Sequence, residues 1–175
     1  NKITSRYYAI DKEGKSTHTN ARLAANAIEG LLDENFTKND IQLLTGGTMS
    51  PEQLLPSHTA MVHGELGCPP VEIASMSSSC ASGFQAMKYA WLSVKHGDIK
   101  NAVAFASEKV STWLRHDKFD AETEKLKELD ANPMIAFEKD FMRWMLSDGA
   151  GAALLQNEPN KDGLSLRIDF IDIKS

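Results

Sequence analysis

The sequence predicts an α/β layered domain, because apolar stretches at helical spacing alternate with short apolar runs of strand length, and glycines and prolines punctuate the boundaries. Leu23, Ala24, Ala27, Ile28, Leu31 and Leu32 recur at helical spacing, with Thr19 or Asn20 as caps and Asn35 near the end. Ile41 to Thr45 reads as a buried strand ended by Gly46 and Gly47, and the loop beyond it holds Pro51 and Pro56. Residues 57–66 form a second helix, closed by Gly67 and then by Pro69 and Pro70, which cannot continue it. Val71 to Ala74 is the second strand. The clearest helix runs from Cys80 to His96, where Phe84, Met87, Trp91 and Val94 repeat at spacings of three, four and three before Gly97. Ala102 to Ala106 is a third strand. Residues 115–132 are irregular and charged, with Glu122, Glu124, Lys125, Lys127 and Glu128 as a solvated helical face. Ala150 to Leu155 and the alternating Leu164 to Ile173 read as two further strands, turned by Asn157 to Gly163. No internal repeat or linker divides the chain, so one folding unit is expected.

Composition narrows the function classes. A chain of 175 residues, 42% hydrophobic, can bury a core of its own. Nineteen Lys and Arg against 24 Asp and Glu give a net charge of -5, which argues against a broad nucleic-acid surface and leaves room only for a small basic pocket. Two cysteines, Cys68 and Cys80, among many ordinary apolar residues suggest a reduced cytosolic thiol protein, so a cytoplasmic location is expected. No stretch approaches the roughly 20 apolar residues that span a bilayer, and Asn1 to Arg6 hold no apolar signal core, so no membrane association is expected. The first residue is not Met and the apolar pattern is already under way at Ile3 and at Tyr7 to Ile10, so the chain is expected to be incomplete at its start.

The chemistry is expected in Ala74-Ser75-Met76-Ser77-Ser78-Ser79-Cys80-Ala81-Ser82-Gly83, where a strand ends in small polar residues and a cysteine opens a long helix. Helix N-termini carry unpaired N–H groups and partial positive charge, which favour a thiolate and can also hold the oxyanion formed when a thioester carbonyl is attacked. Small neighbours leave room for an acyl group. Physics alone leaves a second reading open, in which Cys80 is a small buried residue that begins a helix. Cys68 has no helix after it and reads as structural. His58 and His63 stand about 140° apart around a helix and so do not form a metal pair; no metal site is expected. His18, His96 and His116 read as solvated. Asp148-Gly149-Ala150-Gly151 lacks the lysine of a phosphate loop and precedes a strand, which argues against nucleotide binding.

Three separated motifs carry a family resemblance. Ser79-Cys80-Ala81-Ser82-Gly83-Phe84, followed by a helix and Ala102-Val103-Ala104-Phe105-Ala106-Ser107-Glu108, resembles the nucleophile region of β-ketoacyl-acyl-carrier-protein synthase III. Thr45-Gly46-Gly47-Thr48-Met49-Ser50-Pro51, with Pro56-Ser57 and Leu66-Gly67 beyond, resembles the family's strand, loop and helix before the nucleophile. Ser147-Asp148-Gly149-Ala150-Gly151-Ala152-Ala153-Leu154-Leu155 resembles its glycine-rich strand entry, with Ser147 in place of the first glycine. The likeness runs from about Arg6 to Leu155.

The resemblance implies a thiolase-like fold, with residues 1–175 as the N-terminal half of a five-layer α-β-α-β-α architecture and the C-terminal half absent. It implies an acyltransferase of the fatty-acid initiation type, in which Cys80 accepts an acyl group and a decarboxylating donor then attacks it to give a β-ketoacyl thioester. The histidine and asparagine partners would lie outside this chain, which alone would be inactive. Coenzyme A or carrier-protein thioesters would be substrates, with no permanently bound cofactor. Arg143 lies near the family's basic residue against the coenzyme A phosphates, although the ungapped register falls nearer Asp140, and a surface or interface arginine stays open. Trp113, Phe119, Trp144 and the methionines could line an acyl tunnel or simply pack the core. The small residues at 148–151 would permit close backbone packing near the cysteine. A homodimer is implied, with Asn101 to Ser107 as the edge strand that pairs with its own copy. The alternatives are a specialised condensing enzyme for an aromatic lipid or polyene product, and a non-catalytic partner that keeps the fold.

Overall fold

The computed structural model describes residues 3–114, 130–134, 145–161 and 163–174. The chain divides into two compact units, one made of Asn1–Thr17 with Lys109–Gly149, the other of His18–Glu108 with Ala150–Ser175.

In the larger unit, helix α1 (Asn20–Glu29) starts at Thr19, whose extended backbone lets its hydroxyl accept the Arg22 N–H at 3.0 Å. Strand β1 is Leu43–Gly47 and is buried throughout, so the two glycines belong to the strand and do not end it. Helix α2 (His58–Leu66) is capped by Ser57 and closed by Gly67 in the left-handed conformation, φ 59°. Strand β2 is Glu72–Met76, helix α3 is Ser82–His96 and strand β3 is Asn101–Glu108; Gly97, at φ 80°, ends α3. Strand β4 is Gly149–Gln156.

The sheet order is β2-β1-β3-β4, and β1 runs parallel to both β2 and β3. Strand alternation sorts the core into two faces. Leu44, Val103 and Phe105 point to one side, where they bury Ala24, Ala25 and Ile28 of α1 and Val62 and Leu66 of α2. Leu43, Ala102 and Ala104 point to the other and meet Ala90 and Val94 of α3. The result is a helix-sheet-helix sandwich, in which each fully buried Leu, Ile or Val contributes about 1.5–3 kcal/mol through its removal from water. Gly46 makes room for the Phe105 ring, since a Cβ there would lie 2.1 Å from it.

Two further expectations about the strands change. Asn101 to Ser107 is not an edge: β3 lies between β1 and β4, so its hydrogen-bonding groups are met within the sheet. Leu164 to Ile173 is not a strand, despite its alternation; Ile168 packs against the core face that holds Ala90 and Val94 and its carbonyl accepts the Trp91 indole N–H at 3.1 Å, while Leu164, Leu166 and Phe170 stay exposed.

In the smaller unit, the buried Asp148 carboxylate accepts the N–H groups of Ala9 at 2.7 Å and Ser111 at 2.8 Å, while the Asp148 N–H donates to the Tyr7 carbonyl at 2.8 Å. Asp148 therefore ties the start of the chain to the segment after β3. A Cβ on Gly149 or Gly151 would meet nothing within 4 Å, so the close backbone packing expected of these glycines is not made among the described residues.

Candidate active site

Cys80 is exposed and stands in the turn between β2 and α3, outside the helix it was expected to open. The turn is tight. The Ala81 N–H donates to the Ser78 carbonyl at 2.9 Å and the Ser82 N–H to the Ser79 carbonyl at 3.2 Å, two overlapping turns that reverse the chain on either side of the cysteine. Ser79 has φ 43°, the one left-handed non-glycine residue among those described. Ser82 is buried, and its hydroxyl accepts the Ser78 N–H at 2.8 Å and donates to the Ser79 carbonyl at 2.7 Å. The cap residue Ala81 has helical backbone angles and no side-chain hydrogen bond, so no side chain covers the first-turn N–H groups of α3.

Glycines place this turn. A Cβ on Gly47, the last residue of β1, would fall 2.4 Å from the Ser82 carbonyl carbon and oxygen and 2.6 Å from the Gly83 nitrogen. A Cβ on Gly83 would fall 2.8 Å from the Cβ of Ala106 in β3. The start of α3 is thus seated directly against two strand ends, which is possible only without side chains at these positions.

Cys68 differs. It is half-buried beside Met61, Val71 and the rest of the α1/α2 core, and burial pushes its thiol up from the usual cysteine range, against a smaller opposing pull from Lys38. Its setting fits the structural role expected of it.

The histidines of α2 separate as their spacing requires. His63 Nε2 lies 2.9 Å from the Pro69 carbonyl, whereas His58 is buried with Nε2 2.9 Å from Ser107 Oγ. His58 Nδ1 is 3.7 Å from Glu52 Oε2, and its ring centroid is 5.9 Å from that of Phe105. Burial holds the His58 imidazole below its ordinary range, with Glu52 and Glu108 opposing. Around it, Glu52 accepts the Ala21 N–H at 2.9 Å, and Glu108 accepts the Met49 N–H at 2.6 Å and the Ser50 hydroxyl at 2.5 Å. Asn20 donates to Thr48 Oγ1 at 2.9 Å and to the Ser50 carbonyl at 3.0 Å. This network fastens the loop after β1 to α1 and β3. Sequence reasoning missed it, and missed the part played by Ser82, because neither lies at a spacing that marks a motif; the nearest signal was the density of small hydroxyl residues on both sides of Cys80.

Arg143, Phe119, Trp144 and the charged face at 122–128 lie outside the described residues. Trp113 is described and is exposed rather than enclosed. Among the described residues no three His, Cys, Asp or Glu side chains gather as metal ligands, and no helix is long and apolar enough to cross a membrane.

A sheet whose central strand runs parallel to both neighbours, set between helix layers, with a cysteine held in a turn ahead of the longest described helix, is the N-terminal arrangement of the thiolase-like fold. Solved structures agree on that fold: a tetronic acid condensing enzyme, AbyA1, matches 89% of this chain and 41% of its own at TM-score 0.68 and 23% identity. The 3-oxoacyl-[acyl-carrier-protein] synthase III of Aquifex aeolicus VF5 matches 87% and 42% at TM-score 0.63 and 24% identity. The chain belongs to the β-ketoacyl synthase family, whose N-terminal domain matches residues 30–160. Among its relatives, the β-ketoacyl-[acyl-carrier-protein] synthase III of Limosilactobacillus reuteri is 30% identical over 85% of this chain and 40% of its own length. That of Aquifex aeolicus is 24% identical over 95% and 48%. The chain therefore spans under half the length of these relatives.

Proposed function

We propose that Cys80 is the acyl-accepting nucleophile of a condensing enzyme that makes a β-ketoacyl thioester of the fatty-acid initiation type, and that this chain supplies the N-terminal half. The observation that carries the reading is an exposed cysteine fixed in a tight turn at the entrance of α3, in a chain of this family. The Cys80 thiolate attacks the carbonyl of an acyl-coenzyme A, the coenzyme A thiolate leaves, and the acyl group stays as a thioester on Cys80. A malonyl-type carrier-protein thioester then loses carbon dioxide, and its carbanion attacks that thioester and releases Cys80. The first-turn N–H groups of α3 beyond Ser82, whose own N–H is given to the Ser79 carbonyl, are suited to the oxyanion of each attack, because they are fixed before reaction and need no reorganisation. The histidine and asparagine that assist decarboxylation would come from the second half of the full-length protein, so residues 1–175 alone would not turn over product.

Incubating the full-length protein with an acyl-coenzyme A and mapping the label by peptide mass tests this. Label is expected on Cys80, and label chiefly on Cys68 overturns the assignment. A homodimer remains part of the proposal, but its edge changes: β2 is the outer strand of the described sheet, paired only with β1, and its Ile73 is 42% exposed. A monomer at micromolar concentration in a solution mass measurement rules the dimer out.

A further inference from the structure

We propose that Ser82 is a positioning residue for the acyl-transfer step, acting by clamping the backbone on either side of Cys80 rather than by touching substrate. This rests on Cys80 being the acyl-accepting thiol. Three observations carry it. The Ser82 hydroxyl is spent entirely on the turn, accepting the Ser78 N–H and donating to the Ser79 carbonyl, so one buried side chain joins the two residues that precede the cysteine. Ser79, held by that bond, has φ 43°, a conformation that a residue with a Cβ keeps only when its surroundings impose it. Ser82 itself cannot drift, because its carbonyl lies where a Cβ on Gly47 would fall and the next residue abuts Ala106. Seated on β1 and β3, Ser82 transmits the position of the sheet to the turn, and its hydroxyl converts that position into a fixed direction for Cys80. Ala81, the formal cap, makes no side-chain hydrogen bond that could do this instead.

Removal of the hydroxyl frees the Ser78 N–H and leaves the Ser79 carbonyl only the longer bond from the Ser82 N–H; Ser79 can then return to negative φ, which swings Cys80 away from its working direction. The full-length Ser82→Ala variant is expected to acylate Cys80 about tenfold to a hundredfold more slowly with little change in KM, the loss typical of a misplaced reacting group. Alkylation of Cys80 by iodoacetamide, which needs no condensing chemistry, serves as an independent readout of the turn. The decisive variant is Ser82→Ala combined with Ser79→Gly, since glycine adopts positive φ without strain. The double variant is expected to regain most of the acylation rate.

An acylation rate for Ser82→Ala equal to wild type overturns the proposal, and so does a slow rate that Ser79→Gly leaves unchanged, which assigns Ser82 to packing alone. If Ser82→Ala does not fold, hydrogen exchange in the wild-type protein decides: the Ser78 amide is expected to be protected, and exchange at the rate of an open turn overturns the clamp. Failure of the nucleophile assignment looks different, since the wild-type protein would then carry no acyl label on Cys80 whatever Ser82 does.

Discussion

Two helix entrances bring chemically versatile side chains into the larger unit, and they treat them in opposite ways. At α2, Ser57 caps the first turn, and His58 follows it into the interior, where Ser107 takes one ring nitrogen and Glu52 faces the other. At α3, the cap is an alanine with no side-chain bond, the nearby hydroxyl of Ser82 turns backward, and Cys80 stays exposed. A capped entrance that carries its histidine into the interior, with Nδ1 facing Glu52 at 3.7 Å and no hydrogen bond, holds that side chain away from the surface. An uncapped entrance, braced from behind, leaves the N–H groups beyond Ser82 without a side-chain cap and its cysteine exposed. Residue type alone does not separate the two: a histidine at the start of a helix is as plausible a reagent as a cysteine, and only the neighbours decide.

The sharpest test of that contrast is to remove each reagent. Cys80→Ala in the full-length protein is expected to abolish acyl labelling, while Cys68→Ser keeps it, as read by mass mapping after incubation with an acyl-coenzyme A. Labelling that survives Cys80→Ala would show that the α3 entrance is not the reactive one.

Next in size is the seat beneath the turn. Gly47→Ala forces a Cβ to within 2.4 Å of the Ser82 backbone, so either β1 or the start of α3 must move. Overpacking of this kind costs about 1–3 kcal/mol. A lower urea midpoint together with slower iodoacetamide alkylation of Cys80 is expected; loss of stability with unchanged alkylation would mean that the turn does not depend on its seat.

The α2 entrance should show itself through pH. His58 is held below its ordinary value of 6.5, chiefly by burial, so the unfolded chain binds a proton that the folded chain resists. Protons therefore favour unfolding: the contribution of His58 is complete above about pH 6.5 and is lost as pH falls from there toward the folded value. Urea midpoints of the wild type and His58→Gln, compared between pH 7.5 and pH 5, are expected to differ in slope, with the wild type losing more stability on acidification. Equal slopes would remove His58 from the account.

The smallest effect belongs to an ordinary cap. Thr19→Ala is expected to cost about 1 kcal/mol in urea unfolding and to leave the rate of Cys80 acylation untouched, because Thr19 supports α1 alone.

Much of this was legible in the sequence where local chemistry sets local structure. Thr19, Ser57, Gly67 and Gly97 mark real helix ends, and the Phe84 to Val94 periodicity marks a real helix. The errors arise where structure depends on something distant. Cys80 precedes its helix in a turn where Ser79 has positive φ, which serine does not advertise, and where Ser82 packs against Gly47, a contact between residues far apart in sequence. The edge position assigned to residues 101–107 failed because strand order follows from the crossings of α2 and α3 and is not written in the strand itself. The alternation at Leu164 to Phe170 is a strand pattern, but a strand also needs a partner, and none of the described strands pairs with it. Cys80, the proposed nucleophile, stands out in the sequence by its setting, whereas Ser82, His58 and Glu108 do not, since their contacts are remote or face backward.

Gly46 and Phe105 share one volume, the ring occupying the space that any side chain on the glycine would need. Enlarging residue 46 is expected to be tolerated best where residue 105 is smaller, so that the route between the two states passes through a cavity and not through a clash. An ancestral sequence carrying a small residue at both positions is the expected intermediate, and it would tell in which order the two strands exchanged their bulk.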